Sequence, residues 1–237
     1  MRRYRNEWKY CDSEAKLSDI KQRLISVLSY DSHADNMGKY YIHSLYFDDY
    51  KDSCARHNVA GESERMKYRI RYYGNDSDKL WLEKKEKKNS YCHKRKCPLK
   101  LDEYQKILDG RSMEVFWNTE YELLKEFCID IVNKKFAPKV IIDYERVALV
   151  EPITNIRITF DYNITASDSF NRFLVSDYIK IPLLESGKHV LEVKFDDILP
   201  SHIKHILQSQ ILIQQSFSKY YMGRIAVQEK KKYMKVL

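Results

Sequence analysis

Several segments of the chain place charged residues at every second position, with apolar or aromatic residues between them. In the clearest of these segments, Lys67, Arg69 and Arg71 alternate with Tyr68 and Ile70. The same alternation recurs in Glu7-Trp8-Lys9, Glu83-Lys84-Lys85, Lys94-Arg95-Lys96, Arg157-Ile158-Thr159-Phe160-Asp161 and Glu192-Val193-Lys194-Phe195-Asp196. Because successive side chains of a strand point to opposite faces, the pattern predicts strands with one apolar face and one charged face.

The rest of the chain divides into predicted strands and helices. Strands are predicted at residues 2–11, 40–48, 53–60, 64–74, 78–88, 90–98, 139–150, 155–163, 182–185 and 189–196. Helices are predicted at residues 14–29, 101–108, 119–135, 201–215 and from about 219 to the end. No sequence repeat and no linker rich in Gly, Pro or Ser interrupts these elements, so a single domain over residues 1–237 is expected.

Two arrangements of such strands are compatible with the pattern. In an open sheet the charged face would lie in solvent. In a closed barrel the helices would cover the apolar outside, and the charges would line the lumen. The recurrence of the pattern in several segments, with acids among the bases, favours the barrel. The expected fold is therefore α+β, an antiparallel β-barrel with helices packed outside it.

Composition restricts the kind of partner. Six Gly and five Pro among 237 residues are typical of a folded chain, and the net charge of +8 predicts an anionic partner. Nucleic acid, a membrane surface and polyphosphate all remain open on charge alone. The five cysteines show no CxxC spacing, which predicts reduced thiols rather than a zinc site. No run approaches the roughly 18 apolar residues of a spanning helix, so a soluble, cytoplasmic protein is expected.

A charged lumen would itself predict a ligand. Buried cations are costly unless an anion neutralises them, and Arg and Lys in number suit phosphate oxygens. The few carboxylates among them would repel phosphate unless they hold a divalent metal ion, whose preferred ligands are oxygens. The pattern thus points to a metal-bound oligophosphate.

A resemblance extends over nearly the whole chain. It is carried in order by Tyr4-Arg5-Asn6-Glu7-Trp8-Lys9-Tyr10, Ser44-Leu45-Tyr46-Phe47-Asp48, Lys67-Tyr68-Arg69-Ile70-Arg71-Tyr72, Leu82-Glu83-Lys84-Lys85, Lys94-Arg95-Lys96, Asp143-Tyr144-Glu145-Arg146-Val147-Ala148, Arg157-Ile158-Thr159-Phe160-Asp161, Leu191-Glu192-Val193-Lys194-Phe195 and Ser216-Phe217-Ser218-Lys219-Tyr220. With these segments the chain resembles the catalytic domain of the vacuolar transporter chaperone (VTC) polyphosphate polymerases, within the triphosphate tunnel metalloenzyme (CYTH-like) superfamily.

The resemblance implies an eight-stranded antiparallel tunnel with a C-terminal helix at one end. It implies transfer of the γ-phosphate of ATP to a polyphosphate chain, with Mn²⁺ or Mg²⁺ as cofactor. The catalytic cations that it implies are Arg69, Arg71, Arg146 and Lys194. The further phosphate-binding residues that it implies are Lys9, Lys85, Lys94, Arg157, Ser218 and Lys219. Glu192 would be the principal metal ligand, and Glu7 either a second ligand or a partner that orients an arginine.

Two positions depart from the family pattern. Arg5 stands where the wider superfamily has the first of two glutamates, and Ser216 stands where some members have a lysine. The first departure makes triphosphatase activity a weaker alternative without excluding it.

A non-catalytic polyanion-binding module is a third alternative. RNA motifs and paired aromatic platforms are not evident, so nucleic acid is not an expected partner. The membrane domains of eukaryotic members are not in the sequence, so a separate membrane protein is a candidate partner.

For three other charged residues, the sequence also allows a purely structural role. For Glu83, a salt bridge to Lys85 or to a cation of a neighbouring strand is favoured over metal ligation. Asp161 is expected to orient an arginine rather than to bind metal. Lys67 shares the Arg69 face but begins its strand, so lumen and rim are equally open for it.

Overall fold

A computed structural model describes residues 5–35, 38–88 and 91–234 of the chain. The predicted starts of the strands at residues 2 and 90, and the predicted end of the last helix, lie outside these residues. The strands are β1 Arg5–Ser13, β2 Ser29–Tyr30, β3 Lys39–Asp48, β4 Glu64–Tyr73, β5 Leu80–Lys88, β6 Tyr91–Leu99, β7 Ala137–Glu151, β8 Ile156–Ser167, β9 Ile181–Pro182 and β10 Lys188–Asp196. The helices are α1 Glu14–Ile25, α2 Ser53–Val59, α3 Leu101–Leu108, α4 Ser112–Asn118, α5 Glu122–Lys134, α6 Ser201–Leu207 and α7 Lys219–Met234.

The long strands form an open antiparallel sheet. Their hydrogen-bonded order is β1-β10-β8-β7-β3-β4-β5-β6, with β2 added to β7 and β9 added to β8. The α+β class and the antiparallel sheet with helices are confirmed. Closure into a barrel is not seen among the described strands, whose order begins at β1 and ends at β6. The outer edge of β1 is occupied instead by a later segment, because Gln215 donates its backbone N–H to the Lys9 carbonyl at 2.9 Å.

The chain divides into two compact units, each built from several segments. The first unit contains residues up to Tyr41, Tyr144–Thr165 and Pro182–Lys219. The second contains Ile42–Asp143, Ala166–Ile181 and the residues from Tyr220 onward. Strands β3, β7, β8 and β9 contribute residues to both.

The apolar face of the first unit is covered by α1 and α6. Its buried core includes Leu17, Ile20 and Leu24 of α1, Ile203 and Leu207 of α6, Ile158 and Phe160 of β8, and Leu191 and Val193 of β10. These strand residues are the ones that alternate with charges in the sequence. Burial of each large apolar side chain contributes about 1.5–3 kcal/mol, so this face is fixed inward and the charged face must point the other way.

In the second unit, α5 packs on the apolar face of β3 and β4. The ring of Phe127 lies 5.0 Å from the ring of Phe47 and 4.8 Å from that of Tyr68. The hydroxyl of Tyr68 donates to Asp130 at 3.0 Å, which satisfies the polar end of a fully buried side chain. The predicted alternation of Tyr68 and Ile70 with cations is therefore confirmed as a core face.

The prediction of a strand over residues 53–60 was wrong, because Ser53–Val59 is the helix α2. The cause lies just before it in the sequence. Asp48 accepts the backbone N–H groups of Cys54 at 2.9 Å and Ala55 at 3.1 Å. These first-turn donors have no partner within a helix, so the carboxylate stabilises helical over extended backbone.

The predicted helix over residues 201–215 is too long, because α6 ends at Leu207. Beyond it, Ile211 and Ile213 are exposed, so no apolar stripe would hold a longer helix against the core. The backbone of this segment is held by β1 instead, through Gln215 and through a bridge between Gln214 and Tyr10. The helix α4 was not predicted; its seven residues are too few to show a clear period.

The last helix, α7, is tied to the second unit by polar contacts at its start. Tyr220 donates its hydroxyl to the fully buried Asp48, and Arg224 contacts Asp52 at 3.0 Å. Gly223 brings the helix close to β7, since a Cβ at this position would stand 2.3 Å from the Ile142 side chain. Within the described residues, no helix is long and apolar enough to cross a membrane.

Candidate functional site

In the second unit, one buried carboxylate is shared by three cations. Glu83, whose side chain is 3% exposed, accepts a hydrogen bond from Arg69 Nε at 2.6 Å and one from Lys94 Nζ at 2.7 Å. Arg71 Nη1 lies 3.9 Å from the same carboxylate. The expected salt bridge of Glu83 to a neighbouring-strand cation is therefore confirmed.

Strand register explains why these groups meet. Arg69 of β4 stands opposite Tyr46 of β3 on one side and opposite Glu83 of β5 on the other. Arg71 stands opposite Ser44, and its Nε donates to the Ser44 hydroxyl at 2.9 Å. Paired residues on one face of a sheet lie about 5 Å apart, within reach of these side chains. Each arginine is thus held in a fixed orientation by a neighbouring strand.

The positive field of this face changes the ionisation of its acids. Burial opposes ionisation of Glu83, but Arg69, Arg71 and Lys94 outweigh it and hold the pKa of Glu83 well below its usual range. Burial likewise opposes ionisation of Tyr46, yet Arg69 and Arg71 lower the pKa of its phenol to about 8. Negative charge is therefore strongly favoured at this face.

The lysines of the same face are shifted toward their neutral form, whereas the acids are shifted toward their charged form. Burial, with the repulsion of Arg65 and Lys85, lowers the pKa of Lys67 to about 8. Burial lowers the pKa of Lys94 to about 8 as well, with Arg69 adding to the shift against the opposing charge of Glu83. The predicted phosphate-binding residue Lys85 lies between these two lysines in the strand register and is exposed.

In the first unit, two lysines and two glutamates alternate between β1 and β10. Register places Lys9 opposite Glu192 and Glu7 opposite Lys194. Lys9 Nζ lies 3.4 Å from Glu7 and 3.7 Å from Glu192, while Lys194 Nζ contacts Glu192 and lies 3.6 Å from Glu7. The predicted metal ligands and two predicted phosphate-binding lysines therefore form one cluster.

A second buried carboxylate, Asp161, holds two more of the predicted cations. Arg146 Nε and Nη2 donate to its two oxygens at 2.6 and 2.8 Å, and Lys219 Nζ lies 2.5 Å from Oδ2. The ring of Tyr144 lies beneath both cations, 5.2 Å from Arg146 and 4.9 Å from Lys219. The expectation that Asp161 orients an arginine is confirmed.

These charges reinforce one another. Burial alone would raise the pKa of Glu192, but Lys194, Lys9, Lys219 and Arg146 hold that pKa well below its usual value. Burial alone would lower the pKa of Lys219, but Asp161 outweighs it and the pKa is raised. Glu192 is therefore ionised and Lys219 protonated near neutral pH.

Arg157 and Ser218 occupy different surroundings. Arg157 stands opposite Lys194 in the register, but its guanidinium contacts Asp31 and donates to the Tyr40 hydroxyl at 2.9 Å. Ser218 lies between Lys219 and Phe217, whose carbonyl accepts a hydrogen bond from Lys9 Nζ at 3.2 Å. Arg157 thus stands beside the cluster in register but contacts an acid of its own, and Ser218 is the neighbour of Lys219 in sequence.

One polar residue was missed by the sequence reasoning. The hydroxyl of Thr159 is buried and has no hydrogen-bond partner among the described residues, and Thr159 stands opposite Glu192 in the register. Buried hydroxyls are usually paired, because leaving one unpaired costs about 1–3 kcal/mol. Its position between Arg157 and Asp161 in the alternating series was the available signal.

The residues present suit Mg²⁺ or Mn²⁺ held partly by substrate. Within the described residues, no group of three or more His, Cys, Asp or Glu side chains is placed to hold a metal ion. Glu192 and Glu7 instead offer two carboxylates that share Lys9 and Lys194. Mg²⁺ is commonly held by one or two carboxylates plus substrate phosphates and water. The unpaired hydroxyl of Thr159 adds an oxygen donor opposite Glu192.

Comparison with known proteins gives a family match over nearly the whole chain. The model of the VTC domain family matches residues 4–228. Comparison with curated protein sequences gave no significant match.

Solved structures with some similarity include a candidate adenylate cyclase of Bacillus halodurans. It is 11% identical, with a TM-score of 0.47 over 87% of this chain and 88% of that chain. Two proteins of Pyrococcus horikoshii OT3 also show some similarity. One is 12% identical, with a TM-score of 0.42 over 87% of this chain and 85% of its own. The other is 13% identical, with the same TM-score over 86% of each chain. At these TM-scores the likeness supports no conclusion about this chain.

Proposed function

We propose a phosphotransferase function for this chain from the premise that it belongs to the VTC domain family. In this proposal the protein transfers the γ-phosphate of ATP to the end of a polyphosphate chain. The observation that carries the proposal is that cations on the charged strand faces converge on single buried carboxylates, Glu83 in one unit and Asp161 in the other. A face that was merely solvent-exposed surface would not hold its charges in this way.

The cations would bind and orient the phosphate oxygens. Phosphoryl transfer depends mainly on positioning and on neutralising charge, so no nucleophilic side chain is required. Arg69 and Arg71 already have fixed orientations through Glu83 and Ser44, and Arg146 has one through Asp161. One guanidinium group can donate two parallel hydrogen bonds to two phosphate oxygens, so it orients a phosphate as well as attracting it.

Lys194 and Lys9 would change partners when phosphate binds. Both contact Glu192 in the structure, and an arriving phosphate would compete for their Nζ groups. Glu192, Glu7 and the Thr159 hydroxyl would then hold Mn²⁺ or Mg²⁺. When bound, such an ion would supply positive charge that neutralises the phosphate. Lys85, Lys94, Arg157, Ser218 and Lys219 are the further phosphate contacts of the proposal.

The test is incubation of purified protein with ATP and Mn²⁺, followed by separate measurement of long-chain polyphosphate and free phosphate. Polyphosphate chains are the expected product. Free phosphate without polyphosphate chains would show that the protein is a triphosphatase and not a polymerase. Binding of tripolyphosphate without turnover would show that it is a polyanion-binding module.

Two variants connect the activity to the site. Arg71→Ala and Glu192→Gln are each expected to lower turnover by about 100-fold or more, the usual effect of removing a charge-stabilising group. Lys79→Gln removes a cation that is 80% exposed and paired to Asp76, and it should retain wild-type turnover. Wild-type rates in both site variants, with the fold intact by circular dichroism, would refute the assignment.

A further inference from the structure

Two aromatic side chains stand at one end of the charged face of β4 and β5. Trp81 of β5 is paired in register with Arg71 of β4, and Tyr73 follows Arg71 by two residues. By alternation both side chains share the face of Arg71 and Glu83. Diagonal neighbours on one face of a sheet lie about 7–8 Å apart, so the two rings are close enough for one planar ligand to contact both.

These rings are accessible, unlike the aromatic residues on the other face of β4. Tyr73 is 38% exposed and Trp81 is half-buried, whereas Tyr68 and Tyr72 are fully buried. On β6, Pro98 stands opposite Trp81 and is exposed. Rings that remain accessible at the end of a charged face offer a surface on which a flat apolar group can stack.

A cation lies beside each ring. Lys96 Nζ is 4.5 Å from the centre of the Trp81 ring, and the guanidinium carbon of Arg71 is 5.8 Å from the centre of the Tyr73 ring. Proteins bind single-stranded nucleic acid by combining cations for the phosphates with aromatic rings on which the bases stack. A nucleotide joins one base to its phosphates, so it fits this end of the face better than a ligand that consists of phosphate alone.

We propose that Tyr73 and Trp81 bind the adenine base of ATP by stacking, and that they thereby set the direction of its triphosphate on the charged face. This proposal rests on the proposed function, because it assigns a position to the base of the nucleotide that the reaction consumes. From the rings, the phosphates pass Arg71 and then Arg69, which lies one two-residue step, about 7 Å, further along β4. The γ-phosphate therefore points away from the rings, toward Arg69 and Lys94.

The two rings lie outside the sequence segments that carry the family resemblance. Those segments end at Tyr72 and resume at Leu82, so the role of Tyr73 and Trp81 does not follow from the family match. Arg69 and Arg71 would bind the phosphates of any triphosphate equally, so they do not distinguish ATP from inorganic triphosphate. A contact with the base supplies that distinction.

The test compares the double variant Tyr73→Leu/Trp81→Leu with the wild-type full chain in the presence of Mn²⁺. The probes are a non-hydrolysable ATP analogue and tripolyphosphate, and isothermal titration calorimetry measures both affinities. We expect the variant to bind the ATP analogue about tenfold more weakly, the usual effect of losing base stacking. Its affinity for tripolyphosphate should stay within about twofold of wild type, because tripolyphosphate has no base to stack.

Two controls separate the loss of stacking from an effect on the fold. Tyr73→Phe/Trp81→Phe keeps a ring at both positions and should retain most of the affinity for the ATP analogue. Tyr50→Leu/Trp117→Leu removes two rings that are 65% and 76% exposed and lie outside β4 and β5, so it should leave both affinities unchanged. The single variant Tyr73→Leu, at the end of β4, makes the same comparison if the double variant unfolds.

Several outcomes would overturn the base site. One is an equal loss of affinity for the ATP analogue and for tripolyphosphate in Tyr73→Leu/Trp81→Leu. Others are an unchanged affinity of that variant for the analogue, a loss as large in the phenylalanine variant, or a loss as large in Tyr50→Leu/Trp117→Leu.

Failure of the proposed function has a different signature. Protein that binds the ATP analogue through these rings but makes no polyphosphate from ATP would keep the base site and lose the polymerase. Protein that makes polyphosphate, and whose Tyr73→Leu/Trp81→Leu variant binds the analogue as tightly as wild type, would keep the polymerase and lose the base site.

Discussion

Arg146 and Asp161 form a two-point ion pair between β7 and β8, with N–O distances of 2.6 and 2.8 Å. Asp161 is fully buried, and the same carboxylate also contacts Lys219 Nζ at 2.5 Å. One acid therefore fixes two cations while neutralising only one of them. This arrangement leaves a net positive charge in a fixed position, which is what a site for phosphate oxygens requires.

Asp161→Asn should be strongly destabilising. It leaves Arg146 and Lys219 buried without a counter-charge, and breaking a buried pair in this way usually costs about 3–5 kcal/mol. Urea unfolding followed by circular dichroism would measure the change in the free energy of unfolding. Asp177→Asn is the control, because Asp177 is 79% exposed and pairs with the exposed Arg172, so its loss should cost at most about 1 kcal/mol. Equal losses in the two variants would show that the burial of Asp161 has no energetic consequence.

Much of this site could be predicted from the sequence because strand alternation is a local property. The positions of Lys67, Arg69 and Arg71 on one face follow from period two alone, and the structure confirms that Tyr68 and Ile70 face a core. The role of Asp161 as a partner for an arginine was predicted from charge balance, and Arg146 is that partner. Both inferences needed no knowledge of which strands are neighbours.

What depends on contacts other than the alternation within one strand could not be predicted. Cys54 and Ala55 become helical because the Asp48 carboxylate binds their N–H groups. The stretch after Leu207 leaves the helix because its backbone hydrogen-bonds to β1. The pairing that places Thr159 opposite Glu192 is a matter of register between β8 and β10, which alternation within one strand does not reveal.

Glu83→Gln should separate affinity from turnover. Loss of the carboxylate removes a competitor for Arg69, Arg71 and Lys94, so tripolyphosphate should bind at least as tightly as to wild type. The same loss removes the group that orients Arg69, so turnover should fall by about 10- to 100-fold through poorer positioning. Isothermal titration calorimetry and a polyphosphate synthesis assay measure the two quantities. Weaker binding together with unchanged turnover would contradict this role for Glu83.

Thr159→Val should stabilise the fold and weaken binding of ligand. Valine has nearly the shape of threonine but no hydroxyl, so the substitution removes an unpaired buried group that costs about 1–3 kcal/mol. If the hydroxyl contacts a metal ion or phosphate beside Glu192, Mn²⁺-dependent binding of tripolyphosphate should weaken by about tenfold, and Thr159→Ser should restore it. Thermal unfolding with and without ligand measures both effects. Unchanged ligand affinity in Thr159→Val would remove the residue from the site.

The lowered pKa values of the second unit predict opposite pH dependences for folding and for binding. Lys67 and Lys94 have pKa values of about 8 in the folded protein against a usual 10.5, so between these values the unfolded chain binds more protons and the fold becomes more stable as pH rises. Tyr46, with a pKa of about 8 against a usual 10.0, acts in the same direction.

Binding of a polyanion should depend on pH in the opposite way. A polyanion favours the protonated lysines, so its affinity should fall as pH rises through 8, by up to about tenfold per pH unit for each lysine that must take up a proton. Chemical unfolding and tripolyphosphate titration from pH 7 to pH 10 measure the two trends. Lys67→Arg, whose charge persists over this range, should flatten part of both, and a rise in affinity with pH would show that these lysines do not meet the ligand.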